Sequence, residues 1–285
     1  MNPMTEPTKP TKPTKPRLLI AVLTLDEEAN LPSCLETLGE ARADVLVVDS
    51  GSTDSTGEIA RDYGYEMVEH EFVSIAKQRN WVLEEYGSKY DWVLFLDADE
   101  RLTPGLAKEL RELPEPGPMA AAFYIRREFW FMGHPLRHGP YANNLILRLV
   151  HPPLSSVFEQ TRTLEYTKVE GETGHLRAPM IHENHRPLSD WIIKHDWYST
   201  REAEDRKAFS HGAVKVTEHR FRAFIRRRIV PRIPPLLMPF ASFFYRYFVQ
   251  AGFLDGREGF IYYVLHDFWY PFLTAAKIIE IEKQS

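Results

Sequence analysis

The sequence predicts an α/β fold with a mostly parallel central sheet, followed by a carboxyl-terminal helical extension. Short apolar runs alternate with amphipathic stretches from Arg17 to about Leu110, and several of these runs end in aspartate. The final stretch, residues 206–285, loses this alternation and becomes aromatic and helical in character. Strand–helix–strand repetition at such spacing places strands side by side in parallel with helices on both faces.

Residues 1–16 repeat Thr-Lys-Pro and hold almost nothing to bury, so they read as a disordered tail. Arg17–Thr24 and Asp44–Asp49 are β-branched-rich runs, as expected of strands covered on both faces. The run Leu18–Leu23 is followed at once by acids and lacks a small-residue cleavage pattern, which favours a buried strand over a signal peptide. Leu31–Glu40 and Ser55–Tyr63 have helical spacing, with Ser52, Thr53 and Asp54 as available caps and Gly64 as a stop. Tyr65–Glu69 is a third strand, Ile75–Tyr86 a helix and Trp92–Leu96 a fourth strand. From about Pro114 the pattern shifts to proline breaks and strands at Ala120–Arg126 and Leu145–Val150, and Leu188–Arg206 is a helix.

The 285 residues suffice for one large domain or a domain with an extension, and an apolar fraction of 44% excludes wholesale disorder. Cys34 is the only cysteine, which excludes a disulfide framework or a Cys-rich zinc site and fits a reducing compartment. The net charge of -5 hides an asymmetry: Arg206–Arg232 holds nine Lys/Arg and one acid, Glu218. An acidic body with one basic stretch argues against a nucleic-acid binder. The stretch either meets something anionic, such as a membrane surface, or forms a solvated helix face.

Two strand ends carry chemistry. Trp92-Val-Leu-Phe-Leu-Asp97-Ala98-Asp99 ends an apolar run in two carboxylates, which an extended chain would send to the same side. A Mg²⁺ or Mn²⁺ ion relieves the repulsion between such carboxylates and is often completed by substrate phosphates. Val47-Val-Asp49-Ser-Gly-Ser-Thr-Asp54 leads from a strand through a small, hydroxyl-rich turn, where backbone can approach a ligand closely. Ligands of parallel sheets lie beyond these carboxyl ends.

These segments, with Ala21-Val-Leu-Thr-Leu-Asp-Glu-Glu-Ala-Asn-Leu and Ala76-Lys-Gln-Arg-Asn80, resemble family 2 glycosyltransferases of the GT-A fold. The resemblance implies a nucleotide-sugar donor, a Mg²⁺ or Mn²⁺ ion and inversion at the anomeric carbon. It implies donor contacts at Thr24, Asp26 and Glu27 of the first loop, at Asp49, at Gln78 and Arg79, and at Asp97. Metal ligation falls to Asp99, with Asp97 on the metal side. Asp26 stands where the family more often has Asn. Looser cues extend the likeness to the lipopolysaccharide-core glucosyltransferase branch: Leu147-Arg148-Leu149, Ser156-Val-Phe-Glu159, Leu176 through His182, and Gly252-Phe-Leu-Asp-Gly256. Phe158 takes the place of a histidine usual in relatives, and Glu159 aligns with the general base. An acceptor hydroxyl needs such a carboxylate to take its proton. Arg148 is a phosphate or acceptor contact, or else a surface ion pair. His182, in an H-x-x-H spacing, is a hydrogen-bonded loop histidine or a group near the metal and diphosphate.

The expected organisation is a catalytic domain over 17–205, with a donor half (17–110) and an acceptor half (111–205), then the extension 206–285. The expected partners are a UDP-hexose, with glucose foremost, and a bacterial surface glycan or lipid-linked precursor. An anionic membrane surface reached through 206–250, or a second copy through the carboxyl-terminal helices, completes the list. Residues 233–249 and 260–279 are too interrupted for a spanning helix, which needs about 20 apolar residues. The expected location is the cytoplasm, peripheral at the inner membrane face. A nucleotidyltransferase and a non-catalytic glycan- or nucleotide-binding protein are the alternatives.

Overall fold

Apolar residues on both sides of short strands organise the amino-terminal half of the computed structural model, which describes residues 16–159, 165–208 and 234–284. Strands β1 (Leu18–Thr24), β2 (Asp44–Asp49), β3 (Glu66–Glu69) and β4 (Trp92–Asp97) run parallel in the order β3-β2-β1-β4. Alternate residues face opposite sides. Leu18, Ile20, Val22, Trp92, Leu94 and Leu96 pack with α1 (Leu31–Leu35) and α4 (Pro104–Leu110). Leu19, Ala21, Val93 and Phe95 pack with Val82 of α3 (Ile75–Tyr86). Helix α2 (Thr56–Asp62) joins β2 to β3 and buries Ala60 on the first face. Each fully buried side chain of this size stabilises by about 1.5–3 kcal/mol, so the two-faced burial outweighs the weak propensity of such short helices.

The register aligns the strand ends. Thr24 lies beside Asp49, and Leu23 beside Asp97, so both aspartates share one edge of the sheet. That edge is where the sequence placed them.

Beyond β4 the sheet continues as β8-β6-β12-β5, formed by β5 (Glu100–Leu102), β6 (Ala122–Phe131), β8 (Asn144–Val150) and β12 (Met180–Glu183). Short β7 (His134–Pro135) and β11 (Thr173–His175) pair with β6. A separate antiparallel pair, β9 (Ser155–Glu159) and β10 (Glu165–Val169), is tied to α3 by Asn80, whose side chain donates to Val157 O and accepts from Val157 N.

Several expected boundaries shift for identifiable reasons. The helix expected over Leu31–Glu40 stops at Leu35, because Thr37 turns both its amide and its hydroxyl onto the Cys34 carbonyl; a 3₁₀ turn follows to Ala41. Strand β6 runs five residues past the expected Arg126, where β12 and β7 supply its partners. His182, weighed as a loop histidine, sits within β12 between β5 and β6.

Helix α5 (Leu188–Ala208) runs through the position expected to separate catalytic domain from extension. It packs against α8 (Tyr270–Lys283), where Lys277 donates to Asp196 and Thr200. Between them lie α6 (Met238–Phe244) and α7 (Gly256–Tyr262), each continued by a wide π turn. The carboxyl-terminal helices meet the acceptor half at an aromatic cluster of Leu136, Tyr141, Tyr262 and Tyr263, against Phe129, Phe131 and Trp191. Two buried carboxylates secure this joint. Asp255 accepts from the Arg137 and His138 amides and from the His138 ring, and Asp267 accepts from the Tyr141 hydroxyl and Arg246. Tyr263 fits against Gly139 and Gly252, where a Cβ would overlap its ring.

Among the described residues no helix is long and apolar enough to cross a membrane. The Thr-Lys-Pro tail through residue 15 and most of the basic stretch, residues 209–233, lie outside the described residues.

Candidate active site

The loops after β1 and β2 interlock at the sheet edge. Asp49, 2% exposed, receives the Gly51 and Ser52 amides on one oxygen and the Thr24 and Ser52 hydroxyls on the other. Four donors fill the acceptor sites of a carboxylate, so Asp49 shapes the small turn that follows it. Asp26 has φ of 51°, in the left-handed region that Asn and Asp tolerate best among residues with a side chain. Its carboxylate accepts from the Thr53 amide and hydroxyl, while its own amide donates to Ser52. The same backbone requirement accounts for Asn or Asp at this position.

Glu27 is bracketed by the Thr56 hydroxyl on its amide and by Asn30 and Arg186 on its carboxylate. Burial raises its pKa, against the hydrogen bond from Asn30 and the charge of Arg186. Gln78 is buried and bridges Ser50 to His70, and the His70 ring stacks on Trp81. Thr24, Asp26, Glu27, Asp49 and Gln78 are thereby brought into one connected group of loops.

The two carboxylates after β4 take separate partners. The chain turns at Ala98-Asp99 before β5, so the extended geometry that would send both to the same side is broken. Asp97 pairs with Arg79 at 3.1 Å and Arg148 at 2.5 Å. Arg148 is 7% exposed, so its reading as a surface ion pair is corrected: β8 delivers it into the sheet edge between Asp97 and Glu100. Glu100 is fully buried, donated to by the Asp97 amide and approached by Arg127 at 3.3 Å. Burial first and the Asp97 charge second push its pKa to about 7, against the charges of Arg127 and His182.

Asp99 stands 3.2 Å from His182 Nδ1. Burial opposes its ionisation, but the His182 charge and contact, with Lys194 and Arg127 beyond, hold it down to about 2. His182 Nδ1 is itself buried and outside hydrogen-bonding alignment. A carboxylate beside an orphaned imidazole nitrogen fits a Mg²⁺ or Mn²⁺ ion whose other positions come from phosphate and water. Among the described residues no set of three His, Cys, Asp or Glu side chains stands together as a metal centre.

Glu159 closes β9 opposite Glu165; its side chain lies outside those described. The sequence reading missed Asn30, Glu100, Arg127 and Arg186. Asn30 is 1% exposed, donates to Glu27 and Asn184 and accepts from the His185 amide, while Arg186 donates to the Asp26 carbonyl. Together they clasp the first loop to the segment after β12. Glu100 alone carried a signal, as a third acid directly after Asp97 and Asp99.

Known proteins similar to this chain include glycosyltransferases. The lipopolysaccharide core biosynthesis glycosyltransferase LpsC of Rhizobium meliloti (strain 1021) is 26% identical over 265 residues, spanning 91% of this chain and 90% of LpsC. An uncharacterized glycosyltransferase of Rickettsia typhi is 23% identical over 65% of this chain and 66% of its own. Among solved structures, the mannosyltransferase PcManGT from Pyrobaculum calidifontis, in complex with GDP-Man and Mn²⁺, has a TM-score of 0.47 at 14% identity. That match covers 95% of this chain and 76% of PcManGT. The sequence model described as Glycosyl transferase family 2 matches residues 19–174, more than half of the chain, which therefore belongs to that family and has its GT-A fold.

Proposed function

We propose that this family 2 glycosyltransferase is an inverting, metal-dependent hexosyltransferase. It takes the sugar from a UDP-hexose, glucose being the first to test, and acts on a bacterial surface glycan such as lipopolysaccharide core or its lipid-linked precursor. It works in the cytoplasm, at the inner membrane face. The observation that carries the metal and donor assignment is the half-buried Asp99–His182 pair, at the carboxyl edge of the sheet beside the interlocked first loop and Asp49 turn. The similarity to LpsC along nearly the whole chain supports the acceptor class.

In this reading the first loop and the Asp49 turn hold the nucleoside, and Gln78 braces that turn through Ser50. Arg79 and Arg148 hold Asp97 in place and make the diphosphate side of the edge positive. Asp99 and His182 would hold the Mg²⁺ or Mn²⁺ ion, which supplies charge neutralisation for the departing nucleoside diphosphate. Glu159 accepts the proton of the attacking acceptor hydroxyl as the new glycosidic bond forms. Attack from the face opposite the leaving group inverts the anomeric centre.

The test is donor binding and turnover with UDP-glucose and Mn²⁺. Asp99→Ala should abolish metal-dependent donor binding, and unchanged affinity would overturn the metal assignment. Glu159→Gln should lower turnover by about 10²–10⁴-fold while donor affinity stays. Full turnover in that variant would remove Glu159 as the base.

A further inference from the structure

We infer that the exposed aromatic face of residues 236–272 is a docking surface for an anionic lipid bilayer. This deepens the reading above, because it names the surface on which a lipid-linked acceptor would be met. Phe240, Phe244, Phe248, Phe253 and Phe260 are each between 47% and 59% exposed. Monomeric proteins rarely leave apolar rings together in this way without a partner.

The rings form one continuous face. Phe240 meets Phe268 at 4.7 Å, Phe268 meets Phe243, and Phe243 stacks on Tyr247 at 5.3 Å. Tyr247 in turn reaches Phe248, Phe253 and Phe260, and Phe248 reaches Phe244. The short helices α6 and α7 and the turns between them thus share a single aromatic face, the composition favoured at a membrane–water boundary.

Charge selects the occupant. Between Pro234 and Phe272 the acids are Asp255, Glu258 and Asp267; two are buried, and Glu258 is paired with the exposed Arg257. The chain enters this face directly from Arg206–Arg232, with nine Lys/Arg and one acid. Three residues separate Arg232 from Leu236, four chain steps that span at most about 14 Å when extended, so the sequence tethers this positive charge to the face. Anionic headgroups attract such a stretch, each base near the surface adding to the affinity. A second copy is disfavoured, because two-fold pairing would bring two like-charged stretches together.

The face also connects to the catalytic edge. Tyr247 packs on Tyr263, Tyr263 on Tyr141, Tyr141 on Phe129, and Phe129 meets His182 at 5.0 Å. Docking through these rings would fix the Asp99–His182 edge relative to the bilayer.

The experiment is co-sedimentation of the full chain with phosphatidylcholine vesicles, with and without phosphatidylglycerol, in the absence of donor. The partner variant is Phe240→Ser/Phe244→Ser/Phe248→Ser, with its melting temperature and light-scattering mass recorded. The full chain should sediment with phosphatidylglycerol vesicles, less with phosphatidylcholine alone, and less as salt rises. The variant's partitioning should fall by ~10-fold or more with its melting temperature retained. Equal failure to bind either vesicle, or a variant that binds as the native chain does, overturns the inference. So does a dimer that the variant abolishes without vesicle binding, which would assign the face to a second copy. A lowered melting temperature in the variant without vesicle binding also overturns it, assigning the face to this chain's own residues. Transfer to a soluble acceptor separates the two readings: it survives if only the docking surface is wrong.

Discussion

The donor loops and the carboxyl-terminal helices both rest on buried carboxylates, but the reach of those carboxylates differs. Asp49 takes two amides and a hydroxyl from the three residues after it, and its remaining donor, Thr24, is its strand neighbour. Asp255 and Asp267 hold partners 117 to 126 residues away, across the joint between helices and acceptor half. The first arrangement makes a turn, whereas the second fastens two separately built parts. A local carboxylate sets shape; a distant one sets assembly.

The largest expected effect tests the donor side. Arg148→Met removes the buried cation that Asp97 and Glu100 share, leaving Arg79 and Arg127 as their remaining partners, and should cost about 3–5 kcal/mol in urea unfolding. A loss below ~1 kcal/mol would mean that Arg79 and Arg127 suffice.

On the other side, Asp267→Asn removes the charge that the partly exposed Arg246 faces while still accepting from Tyr141, and should cost about 1–2 kcal/mol. The unfolding should remain a single transition, because α5 packs directly on α8 and the aromatic cluster joins helices to sheet. An early separate transition in near-ultraviolet circular dichroism would mark the helices as an independent unit.

The smallest effect is a pH dependence. His195 stacks on Trp191, and burial lowers its pKa from 6.5 to about 4, against the hydrogen bond to the Trp191 carbonyl. The unfolded chain therefore takes up this proton first as pH falls, so the stabilisation is complete above 6.5 and lost on acidification toward 4. Calorimetry across that window should find a shallower decline in His195→Gln than in the native chain. Parallel curves would remove His195 as a contributor.

Much of the donor half was legible because its determinants are local. The alternation of Leu18–Val22 and Val93–Leu96 specifies two buried faces, and parallel pairing then brings Asp49 and Asp97 to one edge. The separation of Asp97 from Asp99 was not legible, since it depends on a turn and on Arg148 and His182 arriving from β8 and β12. Strand β12 has only four residues, flanked by Pro179 and Pro187, and gains its identity from β5 and β6. The clasp by Asn30 and Arg186 escaped for the same reason: its bonds span more than 150 residues, as in Asn30 to His185 at 155. Composition located the carboxyl-terminal aromatics but said nothing of which rings would be covered.

Tyr263 carries one more consequence. Its ring lies against glycines from both parts, Gly139 before β8 and Gly252 before α7, and even a methyl group at either would claim the ring's volume. The contact admits no intermediate grade of fit, so it works like a keyed lock between the acceptor half and the helices. An alanine at 252 is tolerable only alongside a smaller side chain at 263, whereas at 139 the φ of 65° adds a backbone strain that no change at 263 relieves.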